Sequence, residues 1–184
     1  TQLLRLQQVC SGFAKLEDGR VIEVPSNKLT ELMAVLEEIS GKVIIWGNFT
    51  HDLHIIEGAL KKRYGEESLE LFYGATPGEE RQLIVERFQD PENPLRFFVG
   101  QPRTGGYGLT LTEAHTVIYY SNGYDLEVRL QSEDRAHRIG QTNKVTYIDI
   151  IAENTVDEKV IQALRDKINI STQVLAEGYK EWII

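Results

Sequence analysis

Arg135 and Arg138, three residues apart, lie in the run Gln131-Ser132-Glu133-Asp134-Arg135-Ala136-His137-Arg138-Ile139-Gly140-Gln141. At 3.6 residues per turn, a helix over Leu126–Arg138 would set Gln131, Arg135 and Arg138 on one face. Gly140 would then end it, since glycine tolerates the left-handed conformation found after many helices. Two planar guanidinium forks on one side of a helix end suit bidentate binding of phosphate oxygens. The same residues also read as a solvated charged helix in which Asp134 and Arg138 pair at i,i+4. A second run, Gly100-Gln101-Pro102-Arg103-Thr104-Gly105-Gly106-Tyr107-Gly108-Leu109-Thr110, follows an apolar strand, and its glycines would let backbone N–H groups approach a phosphate. His51 and His54 are three apart with no third ligand nearby, too few for a metal site.

What is missing narrows the chemistry. The Gly-x-x-x-x-Gly-Lys-Ser/Thr phosphate loop occurs nowhere, and Gly41-Lys42 lacks both the upstream glycine and the hydroxyl. No Asp-Glu-x-His or Asp-Glu-x-Asp box is present to hold magnesium. Arginines and a glycine loop without the lysine cradle or the metal-binding acid describe half of a two-lobed ATPase. In that arrangement one lobe clasps the nucleotide and the other brings an arginine to its γ-phosphate.

The elements that must position these residues alternate. Phe13–Leu16 with Arg20–Val24 reads as a hairpin around Asp18-Gly19. Ser26 caps a helix from about Asn27 to Ile39, striped by Leu29, Leu32, Met33, Leu36 and Ile39. Apolar strands are expected at Val43–Trp46, Leu69–Tyr73, Leu95–Val99, Thr116–Tyr120 and Lys144–Ile151. Between them fall helices from Thr50 to Tyr64, from the Thr76-Pro77-Gly78-Glu79 start to about Phe88, and over Leu126–Arg138. Thr155-Val156-Asp157-Glu158 opens a helix to about Ile168, and a separate one spans Ser171–Trp182. Such alternation predicts an α/β fold, a parallel sheet with helices on both faces, with ligands beyond the carboxyl ends of its strands. The expected division is a single lobe over 1–184, comprising a helix and hairpin (1–25), a core (26–152) and C-terminal helices (153–184).

The 184 residues carry 41% apolar and 26% charged side chains, the composition of a globular domain. No apolar run approaches the roughly 20 residues of a membrane span. Cys10 is the only cysteine, which leaves no disulfide framework and makes a reducing compartment the default. The first residues lack the long apolar stretch of a signal peptide and read as the middle of a longer chain. A net charge of −8 opposes unaided binding of nucleic acid, so any phosphate contact must be local. Between Val128 and Tyr147 the balance reverses, with Arg129, Arg135, Arg138 and Lys144 against Glu133 and Asp134.

In order along the chain, these runs resemble the C-terminal RecA-like lobe of Swi/Snf-type DNA translocases of helicase superfamily two. Leu3–Cys10 looks like the family's entry helix, Val43–Thr50 like motif IV, Tyr73–Arg81 like the segment whose Gly-x-Thr contacts the DNA backbone, and Thr104–Ala114 like motif V. Asp134–Gln141 matches motif VI almost letter for letter. The resemblance implies a RecA-like fold, of the P-loop class but without its own P-loop. It implies that Arg135 and Arg138 reach ATP in the partner lobe, with Gln131 as helper, and that Gly106 and Gly108 shape the loop between nucleotide and DNA. It also implies backbone contacts to DNA from Asn48, Gly74, Thr76, Arg103, Thr104 and Gly105. The chain departs from the family at Thr104, where alanine is usual, and at Tyr124-Asp125-Leu126, which replaces Trp-Asn-Pro while keeping an aromatic ring.

The expected function is therefore the second motor lobe of an ATP-driven translocase on double-stranded DNA, inactive by itself and working as a monomer. ATP and Mg2+ would be held mainly by an N-terminal RecA-like lobe of the same chain, with no metal ligands and no membrane association here. The alternatives are a lobe of a strand-separating helicase of the same superfamily and a non-enzymatic module that binds nucleic acid or a protein partner. A small-molecule Rossmann enzyme is disfavoured by the absence of Gly-x-Gly-x-x-Gly after the early strands. The compact stretch between the Arg81 helix and motif V leads to an expected cytoplasmic setting in a bacterium or phage-infected cell, a nucleus being the alternative.

Overall fold

Val43, Ile44, Ile45 and Trp46 are all completely buried, so this strand (β3) must be covered on both faces and flanked on both edges. A computed structural model describes residues 2–104, 109–137 and 144–181, with side chains to residue 169. In it, β3 is the centre of a five-stranded parallel sheet. Its neighbours are β5 (Phe97–Gly100) on one side and β6 (Thr116–Tyr119) on the other, with β4 (Leu69–Phe72) and β7 (Thr146–Asp149) at the edges. The order is β4-β5-β3-β6-β7. The α/β parallel sheet expected from the alternating pattern is the fold observed.

Because side chains alternate along a strand, β3 feeds two cores. Val43 and Ile45 meet Leu32 and Leu36 of α2 (Lys28–Glu38) and Leu53, Ile56 and Leu60 of α3 (Thr50–Tyr64). Ile44 and Trp46 face the other way, toward Ile84 and Phe88 of α4 (Gly78–Gln89), together with Leu111 and Ala136. Outside the sheet, α1 (Gln2–Cys10) packs on a small antiparallel hairpin of β1 (Phe13–Lys15) and β2 (Val21–Glu23). The helices α5 (Leu126–Glu133) and α6 (Val156–Glu181) complete the lobe. No helix among the described residues is long and apolar enough to cross a membrane.

Two helix expectations are corrected. The expected helix over Leu126–Arg138 stops at Glu133, because the chain tightens into a turn in which the amides of Ala136 and His137 both donate to the Glu133 carbonyl. Gln131 and Arg135 therefore do not share a helical face, and Arg138 lies outside the described residues. The two C-terminal helices are one continuous helix, α6. Ser171 and Thr172 mark a polar interruption, yet with neither glycine nor proline between them and Ile168 nothing forces the backbone out of the helix. Its start is as read: the Asp157 amide donates to Thr155 Oγ1 at 3.2 Å, and Glu158 Oε1 reaches back to the Asn154 amide at 3.1 Å.

Smaller shifts have local causes. Asn27 holds the cap position of α2 without a side-chain cap bond, and the Ser26 hydroxyl, one residue further out, accepts from the Lys28 amide at 3.4 Å. Thr76 does not cap α4, because its hydroxyl donates to the Leu71 carbonyl at 3.1 Å and accepts from the Tyr73 amide at 3.0 Å. Pro77 stands at that cap instead. The buried Lys42 ammonium donates to the carbonyls of Arg87, Asp90 and Asn93, closing the end of α4 with a cation where the helix dipole is negative.

Gly100 ends β5 where the sheet leaves no room. A Cβ there would lie 2.6 Å from the Phe72 carbonyl oxygen and 3.1 Å from the Trp46 ring. The nearer atom belongs to a paired strand and cannot rotate away. Gly100→Ala is expected to destabilise the fold by about 1–3 kcal/mol, the usual cost of overpacking a filled core. Denaturant unfolding should show a lower midpoint at unchanged slope; wild-type stability would count against the contact.

Candidate functional site

The loops after β3, β5 and β6 open on one end of the sheet, on either side of the central strand, where ligands of parallel α/β sheets bind. An open cleft of about 700 Å3 lies there, lined by Asn48 after β3, Arg103 after β5, and Gly123, Asp125 and Glu127 after β6. Two outlying helices hold the β6 loop in place. Gln7 Nε2 of α1 donates to the Asn122 carbonyl at 2.9 Å, and Lys167 Nζ of α6 donates to the Tyr124 carbonyl at 2.9 Å. Asp125, one of the departures from the expected Trp-Asn-Pro, caps α5 by accepting from the amides of Glu127 and Val128.

Beneath the rim lies a polar chain. The Asn48 amide donates to Ser121 Oγ at 2.7 Å, and Ser121 Oγ donates to Asp52 Oδ2 at 2.5 Å. The Phe49 amide donates to the same carboxylate oxygen at 3.3 Å. Asp52 is fully buried, and its Oδ1 has no hydrogen-bond partner among the described residues. Burial pushes its carboxyl up to about 6, against the opposing pull of the Ser121 and Phe49 hydrogen bonds.

A larger network surrounds Arg129 of α5. Its guanidinium stacks 3.5 Å from the Tyr119 ring centroid and makes a two-pronged contact with Asp149 of β7, at 2.6 and 3.3 Å. It also donates to Asn122 Oδ1 at 2.8 Å and Glu133 Oε1 at 2.6 Å. Burial alone would lower its pKa, but the Asp149 and Glu133 contacts hold it above the ordinary arginine range. The positive excess expected over Val128–Tyr147 is thus partly cancelled internally, with the Arg129 guanidinium committed to Asp149, Glu133 and Asn122. Sequence reasoning gave Arg129 only a charge. Its principal partner lies 20 residues away, and no local spacing signals it.

The expected site residues do not all meet. Asn48 and Arg103 line the cleft together, and Arg103 Nη2 lies 3.2 Å from Asp125 Oδ2 in an exposed pair. Thr104 Oγ1 lies 3.5 Å from Gln101 Oε1. Gly74 and Thr76 stand at the end of the edge strand β4 and are not part of the cleft lining. The Thr76 hydroxyl is spent inside its own turn, which Arg81 braces from outside through the carbonyls of Thr76 and Tyr73. Gln131 is exposed on α5 and donates to Glu127 at 3.0 Å. Arg135 is 6% exposed. Its Nη2 donates to the Pro102 carbonyl at 2.9 Å, and its guanidinium lies 5.1 Å from the Trp46 ring centroid. Burial lowers its pKa, though an arginine stays charged. Gly105, Gly106, Gly108 and Arg138 fall outside the described residues. Among the described residues no group of three His, Cys, Asp or Glu side chains could hold a metal ion.

The helicase conserved C-terminal domain model matches residues 26–140, which span every strand but β7 of the sheet and the arginine turn. The human "SWI/SNF-related matrix-associated actin-dependent regulator of chromatin subfamily A member 1" is 36% identical over 150 residues, covering 82% of this chain and 14% of that protein. The "ATP-dependent helicase fft2" of Schizosaccharomyces pombe is 31% identical over 183 residues, covering 94% of this chain and 14% of that protein. Among solved structures, the C-terminal part of the Fun30 ATPase domain superposes with a TM-score of 0.68 at 29% identity, covering 74% of this chain and 44% of that one. The chain thus spans a small fraction of the curated relatives it matches. The expectation of a bacterial or phage cytoplasm is overturned. The relatives come from human, mouse, Arabidopsis thaliana and fission yeast, and point to a nuclear setting. Compactness between α4 and motif V was no guide to source.

Asp52 carries a pH signature. Its folded pKa lies above the value of an unfolded aspartate, so its contribution to stability is complete below about pH 4 and is lost as pH rises through about 6. Asp52→Asn removes the titration and keeps the acceptor for Ser121. The stability of the variant relative to wild type should rise by about 2–3 kcal/mol between pH 4 and pH 7.5. Urea unfolding at both pH values measures this, and a pH-independent difference would contradict the burial argument.

Proposed function

This chain belongs to the helicase conserved C-terminal domain family, as the C-terminal lobe of a Swi/Snf-type superfamily-two ATPase, and from that premise we propose that it is the second motor lobe of a monomeric, ATP-driven translocase on double-stranded DNA. Its partner in the motor is an N-terminal RecA-like lobe of the same polypeptide, which holds ATP and Mg2+. The sequence supports that division, since this chain has neither the phosphate loop nor the acidic box. The observation that carries the proposal is convergence at one end of the sheet. The arginine turn after α5, the start of the glycine-rich segment after β5 and the end of β3 meet there through Arg135, Pro102 and Trp46.

In this reading Arg135 and Arg138 serve the nucleotide across the interlobe cleft, where guanidinium groups stabilise charge developing on the transferred phosphoryl group. ATP with its Mg2+ supplies the phosphoryl-transfer chemistry, and this lobe supplies those two charges and their placement. Gly106 and Gly108, with Thr104 and Gly105, form the link to the DNA backbone, and Gly74 and Thr76 present backbone groups to the same strand. Asn48 and Arg103 face the cleft, where Arg103 can exchange its exposed Asp125 partner for a phosphate at little cost, since such pairs contribute on the order of 0–1 kcal/mol. Gln131, exposed on α5 about one turn before Arg135, is the helper.

In the full-length protein, Arg138→Ala should lower DNA-stimulated ATP turnover by about 10³-fold or more while the fold persists, as loss of an arginine finger does elsewhere. Turnover near the wild-type rate would remove Arg138 from the mechanism. The isolated lobe should hydrolyse no ATP with or without duplex DNA. Metal-dependent turnover by the pure lobe would contradict the two-lobe division.

A further inference from the structure

The edge strand β7 grips the end of α5 at two levels. Tyr147 and Asp149, two residues apart, stand on one face of that strand. Tyr147 Oη donates to the Glu133 carbonyl at 3.3 Å, the same oxygen that takes the amides of Ala136 and His137 and closes the arginine turn. Asp149 reaches Glu133 through Arg129. Its carboxylate receives Nη1 at 2.6 Å and Nη2 at 3.3 Å, while Arg129 Nε donates to Glu133 Oε1 at 2.6 Å. Glu133 is therefore held by its carbonyl and by its carboxylate, and both ties run to β7.

Arg135 lies two residues beyond this grip. No helix carries it, since α5 ends at Glu133, so its place is set by the turn. The Leu111 amide, donating to the Arg135 carbonyl at 2.8 Å, steadies the far side of the turn, and Glu133 is its near side. The Arg135 guanidinium spends Nη2 on the Pro102 carbonyl at 2.9 Å, while Nη1 is buried with no partner among the described residues. A buried charged donor without an acceptor is costly to keep, and in the motor-lobe reading it is held for a phosphate oxygen.

We infer that Arg129, Asp149 and Tyr147 are positioning residues for the arginine turn, and that their clasp on Glu133 sets where Arg135 stands when the two lobes meet. The inference rests on the motor-lobe reading, in which Arg135 serves the nucleotide, whereas the clasp itself is a property of this lobe. The three residues act through Glu133. A misplacement of about 1 Å at a reacting centre can cost about 10²-fold in rate. A weakened clasp therefore lowers turnover, and ATP binding, which belongs to the other lobe, is left nearly as it was.

The test compares Asp149→Asn, Arg129→Lys and Tyr147→Phe with wild type in the full-length protein, with Arg135→Ala as reference. At saturating duplex DNA, kcat and KM for ATP are measured. Amide hydrogen exchange is followed at Ala136 and His137 and, for comparison, at Ile44 and Ile45 of β3. Asp149→Asn keeps the side chain's shape and removes the charge that the two prongs address. It should lower kcat about ten- to a hundredfold with KM for ATP within about twofold. Exchange at Ala136 and His137 should speed about tenfold while that of Ile44 and Ile45 is unchanged. Arg129→Lys, which lacks the planar fork, and Tyr147→Phe should give smaller changes in the same sense. An unchanged kcat in Asp149→Asn, or exchange that speeds equally in β3, would overturn the inference and leave the clasp a support of the fold alone. If Arg135→Ala turns over ATP at the wild-type rate, the nucleotide role of Arg135 fails by itself. Exchange at Ala136 and His137 then decides the clasp, faster exchange in Asp149→Asn supporting it and unchanged exchange overturning it. Should Asp149→Asn not fold, Tyr147→Phe, which removes a single hydroxyl, carries the same decision.

Discussion

The clasp around Arg129 is the interaction on which the rest of the site depends. It joins α5 to the edge strand β7 through Asp149, to the β6 loop through Asn122, and to the face of Tyr119, whose hydroxyl is itself paired with Ser132 at 2.6 Å. Removing a guanidinium from water is costly, and it is tolerated only when several well-aimed acceptors replace the lost hydration. Arg129 has them on three sides. The geometry leaves α5 one seat on the sheet, and the turn that follows inherits its direction from that seat. A helix anchored so firmly can end abruptly, at Glu133, and still deliver Arg135 to a fixed place.

The sheet was largely legible in the sequence because its signal is local. Strands such as Val43–Trp46 are short apolar runs bounded by glycine or polar residues, and the Thr155 start of α6 is a pattern of four adjacent residues. The site was less so. The inward turn of Arg135 depends on Pro102 and Trp46, and its carbonyl is claimed by Leu111, none of them a neighbour in sequence. Helical spacing placed Gln131 and Arg135 on one face because it assumed a helix where the chain instead closes a turn on the Glu133 carbonyl. Thr76 is a similar case: cap chemistry was the reasonable reading of Thr-Pro-Gly-Glu, and a nearer pair of backbone groups took the hydroxyl.

Many of the cations of this acidic chain are committed internally. Lys28 is buried against Asp157 and the Tyr120 carbonyl, Lys42 closes α4, and Arg96 caps α2 through the carbonyls of Leu36 and Ile39 while stacking on Phe97. With Arg129 and Arg135 they form a set of positive charges that organise the fold and add little to the field outside it.

The long terminal helix bears on how force could enter the lobe. At 26 residues α6 is a rod of roughly 39 Å. Near its start it is pinned by Asp157 to Lys28, and about three turns on by Lys167 to the loop after β6. Both anchors fall in its first half, so the one helix joins the start of α2 to the loop that seats α5, and a displacement at either anchor is carried to the other through an unbroken backbone ladder.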